Sequence, residues 1–148
     1  MAKYRDSVLT KGSYRASPSS AALPAVQFPR GVTVIEGANE LEFHWPDEES
    51  GGLHLEDVTQ IASDRRPLTG VMLRREDQSG VSGTGVVADF AQFPSGRVVI
   101  EWRNDENENL QFTDTGIDIR PRMEVAVAIH GHGGRTEFIY DNGKVADH

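Results

Sequence analysis

The sequence predicts a mainly β protein of the α+β class: a small barrel-like antiparallel β domain with one or two short helices and an extended N-terminal arm. Two alternating runs carry that expectation. From Arg97 to Arg103, Val98, Ile100 and Trp102 share one face while Arg97, Glu101 and Arg103 share the other. Earlier, Leu41, Phe43 and Trp45 alternate with Glu40, Glu42 and His44. A period of two is the signature of a half-buried strand. Glycine- and proline-marked turns space about seven such strands along the chain.

Residues 1–30 hold Ser17-Pro18-Ser19-Ser20, Pro24 and Pro29, with few bulky apolar groups and no sustained period. A segment of that composition cannot bury enough surface to fold alone, so it reads as an extended arm ordered by a partner or a neighbouring copy. Tyr4, Tyr14, Leu23, Val26 and Phe28 are its expected anchors. Residues 31–70 read as a β-hairpin plus a short helix. Val32, Val34 and Ile35 form the first strand, Gly37-Ala38-Asn39 the turn, and Leu41 to Trp45 the second strand, ended by Pro46. Leu55, Val58, Ile61 and Ala62 have helical spacing, closed by Pro67.

Residues 71–141 read as the compact β domain and 142–148 as a tail. Gly70 to Arg74 and Thr84 to Ala91 are strand-like, and Pro94-Ser95-Gly96 is a turn with proline at its second position. The run from Pro121 to His130 fits either period. As a strand, Val125, Val127 and Ile129 alternate with Ala126 and Ala128. As a helix, the preferred reading, Pro121 lies in the first turn, Met123, Ala126 and Ile129 share a face, and Gly131 follows the end. Thr136 to Tyr140 is the closing strand. Trp102, Ile100, Val98, Val87, Phe93, Ile129 and Phe138 are the expected core, with Trp45 and Phe43 in a second apolar cluster. No internal repeat is visible along the chain.

Composition narrows the function classes. The 148 residues carry a formal charge of -8 and no cysteine, so disulfides and thiolate chemistry are excluded. The acidic balance argues against nucleic acid as a partner, because phosphate binding relies on clustered Lys and Arg. Only Lys3, Lys11 and Lys144 are lysines among 15 basic residues, a bias expected of a GC-rich genome. No apolar run approaches the roughly 20 residues of a membrane helix. Lys3 and Arg5 are not followed by an apolar segment, so a secretory signal is not expected.

Met72-Leu73-Arg74-Arg75-Glu76-Asp77, Ser79 to Ala88, Phe93 to Gly96, Trp102 and His130 to Thr136 form a recurrent order. On these residues, positions 71–140 resemble a family of small proteins encoded by bacteria, archaea and their tailed viruses. The family pattern runs from a short strand through an SGVSGTG stretch, an F-x-x-G turn and a strand ending in Trp, to a short helix and HGHGG. The resemblance implies a helix over 121–130 and a viral or prophage setting, and carries no activity with it. The longer loop at Asn104–Asn109, Pro121 and the tail past Tyr140 depart from that pattern.

Three constellations bear on chemistry. His130 and His132 could share a metal, with His44, His54 or an aspartate completing the set. The competing and preferred reading is a helix C-terminus, with His130 favoured by the dipole and the glycines by positive φ. Gly80, Gly83 and Gly85 lack the following helix or lysine of a phosphate loop and read as turn or bulge positions. Asp47, Glu48, Glu49, Asp105, Glu106 and Glu108 lack the order of a calcium loop and read as solvated.

The leading expectation is therefore a non-enzymatic assembly protein that packs on protein partners or copies of itself through its arm. A tailed-virus head accessory, adaptor or tail protein fits, located in the virion or the cytoplasm of a prokaryotic host. No cofactor and no small-molecule substrate is expected. The alternative is a small regulatory or nucleic-acid-binding β-barrel using Arg74, Arg97 and Arg103. A metal-dependent enzyme built on His130 and His132 comes third.

Overall fold

A computed structural model describes residues 9–46, 53–75, 85–103 and 116–146. The chain falls into two units, Met1–Pro67 and Leu68–His148.

The first unit is an antiparallel meander of β1 (Thr10–Tyr14), β2 (Leu23–Gln27), β3 (Thr33–Glu36) and β4 (Leu41–His44), in that spatial order. Much of the segment expected to be an extended arm is thus two paired strands. Its period was hidden because Pro24, Ala25 and Val26 are buried in succession, on both faces of the sheet. Pro24 is tolerated because β3 begins pairing with β2 only at Ala25↔Ile35, past the missing N–H. Val26 and Phe28 lie in the interior with Val32, Val34 and Ile35.

Two other expectations fail in this unit. Trp45 closes no cluster; it lies just beyond β4 and is 54% exposed. The helix expected over 55–62 is replaced by two 3-10 turns, Val58–Gln60 and Ser63–Arg65. The Asp57 carboxylate accepts from the Thr59 N–H at 2.8 Å, and Ile61 is already extended at ψ 140, so no α-turn propagates.

The second unit contains β5 (Leu68–Arg74), β6 (Gly85–Gln92), β7 (Val98–Trp102), β8 (Ile117–Arg120), α1 (Met123–His130) and β9 (Thr136–Tyr140). The strands are antiparallel in the order β8-β7-β6-β5-β9. Among the described residues β8 and β9 end opposite edges, so the sheet is open and not a closed barrel. The helical reading of 121–130 holds for α1.

Met72, Val87, Ala88, Phe90, Val98, Ile100, Trp102, Ala126, Val127 and Phe138 form the core. Ile129, expected there, is 43% exposed. Met123, Ala126, Val127 and His130 make the inward stripe at helical spacing, and Ile129 falls outside it. All five residues of β7 are buried, so the alternation in Arg97–Arg103 does not separate inside from outside.

The pairing registers expose a duplication. Gln27-Phe28-Pro29-Arg30-Gly31 and Gln92-Phe93-Pro94-Ser95-Gly96 make the same three-residue hairpin turn. The N–H groups of Phe28 and Phe93 each donate at 2.9 Å to the carbonyls of Val32 and Arg97. Gly31 and Gly96 donate at 2.8 Å to those phenylalanines' carbonyls and adopt φ of 109 and 100. Val-Ile-Glu then recurs in both following strands, at 34–36 and 99–101.

The correspondence extends through the sheets. Gly12↔Ala25 matches Gly70↔Phe90, and Ala25↔Ile35 matches Phe90↔Ile100. Ile35↔Glu42 and Thr33↔His44 match Ile100↔Asp118 and Val98↔Arg120. Even β9 has a counterpart: Ser13 bridges Glu56 where Val71 pairs with Ile139. The two units share one β meander, to which the second adds a helix and a full fifth strand.

Candidate functional site

The densest arrangement of chemically capable side chains lies in the second unit, where the last turn of α1 meets β8. Antiparallel pairing puts Asp118 beside Ile100 and Arg120 beside Val98, on the core face of the sheet. His130, at the C-terminal end of α1, reaches that face from above. Its Nε2 lies 2.7 Å from Asp118 Oδ2, and Arg120 Nε approaches the same oxygen at 2.9 Å. An ionised carboxylate only accepts, so Nε2 is the protonated ring nitrogen in this contact. The ring also stands edge-on to Trp102, with centroids 5.2 Å apart. Asp118 thus neutralises a guanidinium and orients an imidazole at once.

The helix end itself is held by backbone. Gly131 is right-handed and its N–H returns to Val127 O at 2.7 Å. Positive φ comes later, at Gly133 (68) and Gly134 (99), so the turn expected directly after His130 is displaced by two residues. The N–H groups of Gly134 and Thr136 both donate to Gly131 O, at 3.1 and 3.0 Å, and start β9.

A second ionic group occupies the opposite face of the sheet. Asp89 and Glu101 stand directly across β6 and β7 and are 4% and 1% exposed. Arg103 grips Asp89 with two bonds, Nε at 3.2 Å and Nη2 at 3.0 Å. Arg103 thus sets a guanidinium fork against one of two buried carboxylates that face each other across the strands.

The expected site residues are scattered. Tyr4 lies outside the described residues. Tyr14 is half-buried at the end of β1, its ring 6.3 Å from that of His44, and Leu23 is half-buried in β2. Val26 and Phe28 are buried within the first unit. His44, 3.4 Å from Glu42, and His54 belong to the first unit, whereas His130 belongs to the second. Among the described residues no three His, Asp or Glu side chains converge as a metal site would require. The side chain of His132, Gly80, Gly83 and the two acidic loops lie outside the described residues. Of the arginines proposed for nucleic acid, Arg74 is buried with Nε 3.3 Å from Thr136 Oγ1, and Arg103 is bound to Asp89. Asp118, the centre of the site, was missed. Its signal was the acid-x-base order of Ile-Asp-Ile-Arg, which repeats Leu-Glu-Phe-His of β4.

These features define a duplicated antiparallel β protein in which Asp118 and Asp89 each hold an ion pair within the second unit. The model of the family described as Acb5 phage protein matches residues 67–142, half of the chain, and the chain belongs to that family. The match spans the second meander from just before β5 to just after β9. No curated protein and no solved structure matches the chain. No helix among the described residues is long and apolar enough to cross a membrane.

Proposed function

We propose that this phage protein acts through protein–protein contact rather than catalysis, as an assembly or accessory component of the particle. One observation carries the reading: among the described residues both meanders end in an edge strand with the same apolar–acid–apolar–base order. These are Leu41-Glu42-Phe43-His44 and Ile117-Asp118-Ile119-Arg120. An edge strand offers unpaired backbone groups to another chain, and the apolar residues on it add burial. Ile119 is 45% exposed on β8, and Trp45 follows β4. The ionisable groups that could serve chemistry are committed internally, Asp118 to His130 and Arg120, and Asp89 to Arg103. The contact surface is then the sheet edges, with the interior residues Val26 and Phe28 supporting the first sheet.

The test is fractionation of an infected culture. The chain should co-sediment with phage particles, or with a particle precursor, and stay bound through a salt wash. Recovery of the chain only as a free protein at every stage of infection would reject the reading.

A further inference from the structure

The geometry points to a specific partner for β4, the edge strand of the first unit: the β4 of a second copy of this chain, paired antiparallel about Phe43. The inference rests on the protein-contact reading above and names one of its contacts.

The outer side of the strand follows from its turn. The Gly37 N–H donates to Glu40 O at 2.9 Å, so these two residues form the bonded pair that closes the hairpin of β3 and β4. Backbone groups alternate sides along an antiparallel strand. Glu42 and His44, opposite Ile35 and Thr33, therefore bond to β3, while Leu41, Phe43 and Trp45 direct their N–H and C=O groups outward. The far side of β3 agrees: Val32 O accepts from the Phe28 N–H, which leaves Thr33 and Ile35 to face β4. Among the described residues, Leu41, Phe43 and Trp45 make no hydrogen bond on the outer side. Pro46 does not interrupt that side. Its missing N–H belongs to the side toward β3, and proline holds the preceding Trp45 extended.

Side chains select the register. A two-fold axis at Phe43 sets it against Phe43 of the second copy, and sets Leu41 against Trp45, each as a reciprocally hydrogen-bonded pair. These three side chains share one face of the strand, and Trp45 is 54% exposed. On the other face, the closer non-hydrogen-bonded pairs set Glu42 against His44 of the second copy, acid against base. Both side chains are accessible, at 54% and 40% exposure. Aromatic and oppositely charged pairs directly across strands stabilise an antiparallel pair, and like charges oppose it.

The neighbouring registers lose this match. Axes at Leu41 and at Glu42 set Glu42 against Glu40 and against itself. An axis at His44 sets the imidazole against itself and Glu42 against Pro46. The strand is therefore self-complementary about Phe43, as an isologous interface requires. Its counterpart β8 carries the same order but a different edge, since Ile117 has a further partner and Pro121 follows its end.

The experiment uses the full chain, which has no cysteine. Sedimentation velocity of the purified protein should show a monomer–dimer equilibrium that shifts to dimer with concentration. Trp45→Lys, at an exposed position, should raise the dimer dissociation constant at least about tenfold with circular dichroism unchanged, because each copy loses an aromatic anchor. Ile129→Lys, on α1, should leave the equilibrium as it is. Glu42→Cys mixed with His44→Cys should form an intermolecular disulfide under mild oxidation, since these Cα atoms lie about 4.5 Å apart in the register. Neither variant should do so alone. A monomer at all concentrations overturns the proposal. So does a dimer indifferent to Trp45→Lys, or a disulfide that either variant forms alone as readily as the mixture. Each of these results would leave co-sedimentation with particles as a separate question, so the two readings fail independently.

Discussion

Gly70 stands opposite Phe90 across β5 and β6, and the phenylalanine ring fills the space that a side chain on the glycine would need. A Cβ there would lie 2.7 Å from Phe90 Cζ and closer still to the Ile139 carbonyl. The ring is in turn held edge-on by Phe138 and Tyr140, at 5.4 and 5.3 Å between centroids. Gly12, its counterpart in the first meander, is under the same constraint from Leu55 Cβ at 2.8 Å and Glu56 O at 2.9 Å.

Gly70→Ala should therefore destabilise the protein by at least 2–3 kcal/mol (roughly, as for overpacked cores). Neither the Ile139 backbone nor a three-ring cluster can yield cheaply. Urea unfolding of the variant checks this, and a loss under about 1 kcal/mol would show that the strands spread without cost.

The two hairpin turns should respond unequally to alanine. Both Gly31 and Gly96 need positive φ, which costs an L-residue about 1–2 kcal/mol. At Gly96 nothing is closer than Pro121 O at 3.8 Å, whereas at Gly31 a Cβ meets Pro46 Cγ at 2.8 Å. Gly31→Ala should lower the melting temperature more than Gly96→Ala; the reverse order would contradict the packing described.

Arg103→Ala leaves Asp89 and Glu101 facing each other in the interior without the fork that binds one of them. A loss of about 3–5 kcal/mol follows for a broken buried pair. Arg122→Ala, which removes the exposed pair to Glu124, should change stability by less than about 0.5 kcal/mol. Equal effects in chemical denaturation would count against the assigned burial.

Tyr140 predicts an alkaline limb. Burial raises its pKa above the ordinary 10.0, and its hydroxyl donates to Gln92 Oε1 at 2.7 Å. The folded state therefore holds its proton more tightly than the unfolded chain. That contribution is complete below pH 10 and declines as pH rises through the raised folded value. Tyr140→Phe should flatten the stability profile above pH 10, as followed by fluorescence-detected unfolding. An unchanged slope would mean that other groups govern that limb.

The fold was legible where burial followed one period. Gly37 to Asn39, the Pro94 turn, the α1 helix and the closing strand Thr136–Tyr140 all lie where spacing put them. Strands buried on both faces were harder: β2 lost its alternation, and β7 kept one that did not report exposure, since Glu101 is inside. The three-residue spacing of Met123, Ala126 and Ile129 points Ile129 inward; the stripe that forms is Met123, Ala126, Val127 and His130, at i, i+3, i+4 and i+7. The candidate site was half legible. His130 stood out as a residue, but its partner lies twelve positions earlier on a strand, and only register joins them.

The duplication escaped a linear reading because its longest near-identical stretch is the turn with its flanks, from Gln27 to Glu36 and from Gln92 to Glu101. Elsewhere the copies agree by chemical type, as with Glu42 and Asp118, or only by position, as with Ser13 and Val71.

The repeated Phe-Pro-x-Gly turn also bears on how the chain folds. Each copy is a local hairpin that can form early, because proline pre-sets its backbone and glycine accepts the left turn. Two hairpins with the same register in one chain also make strand exchange available, β2 seeking β7 in place of β3. Divergence at the facing positions is what discriminates: Phe90 fits against Gly70 and Ile100, while its counterpart Ala25 leaves that space to Leu55. The chain's differences between copies, rather than their likeness, direct each strand to its own sheet.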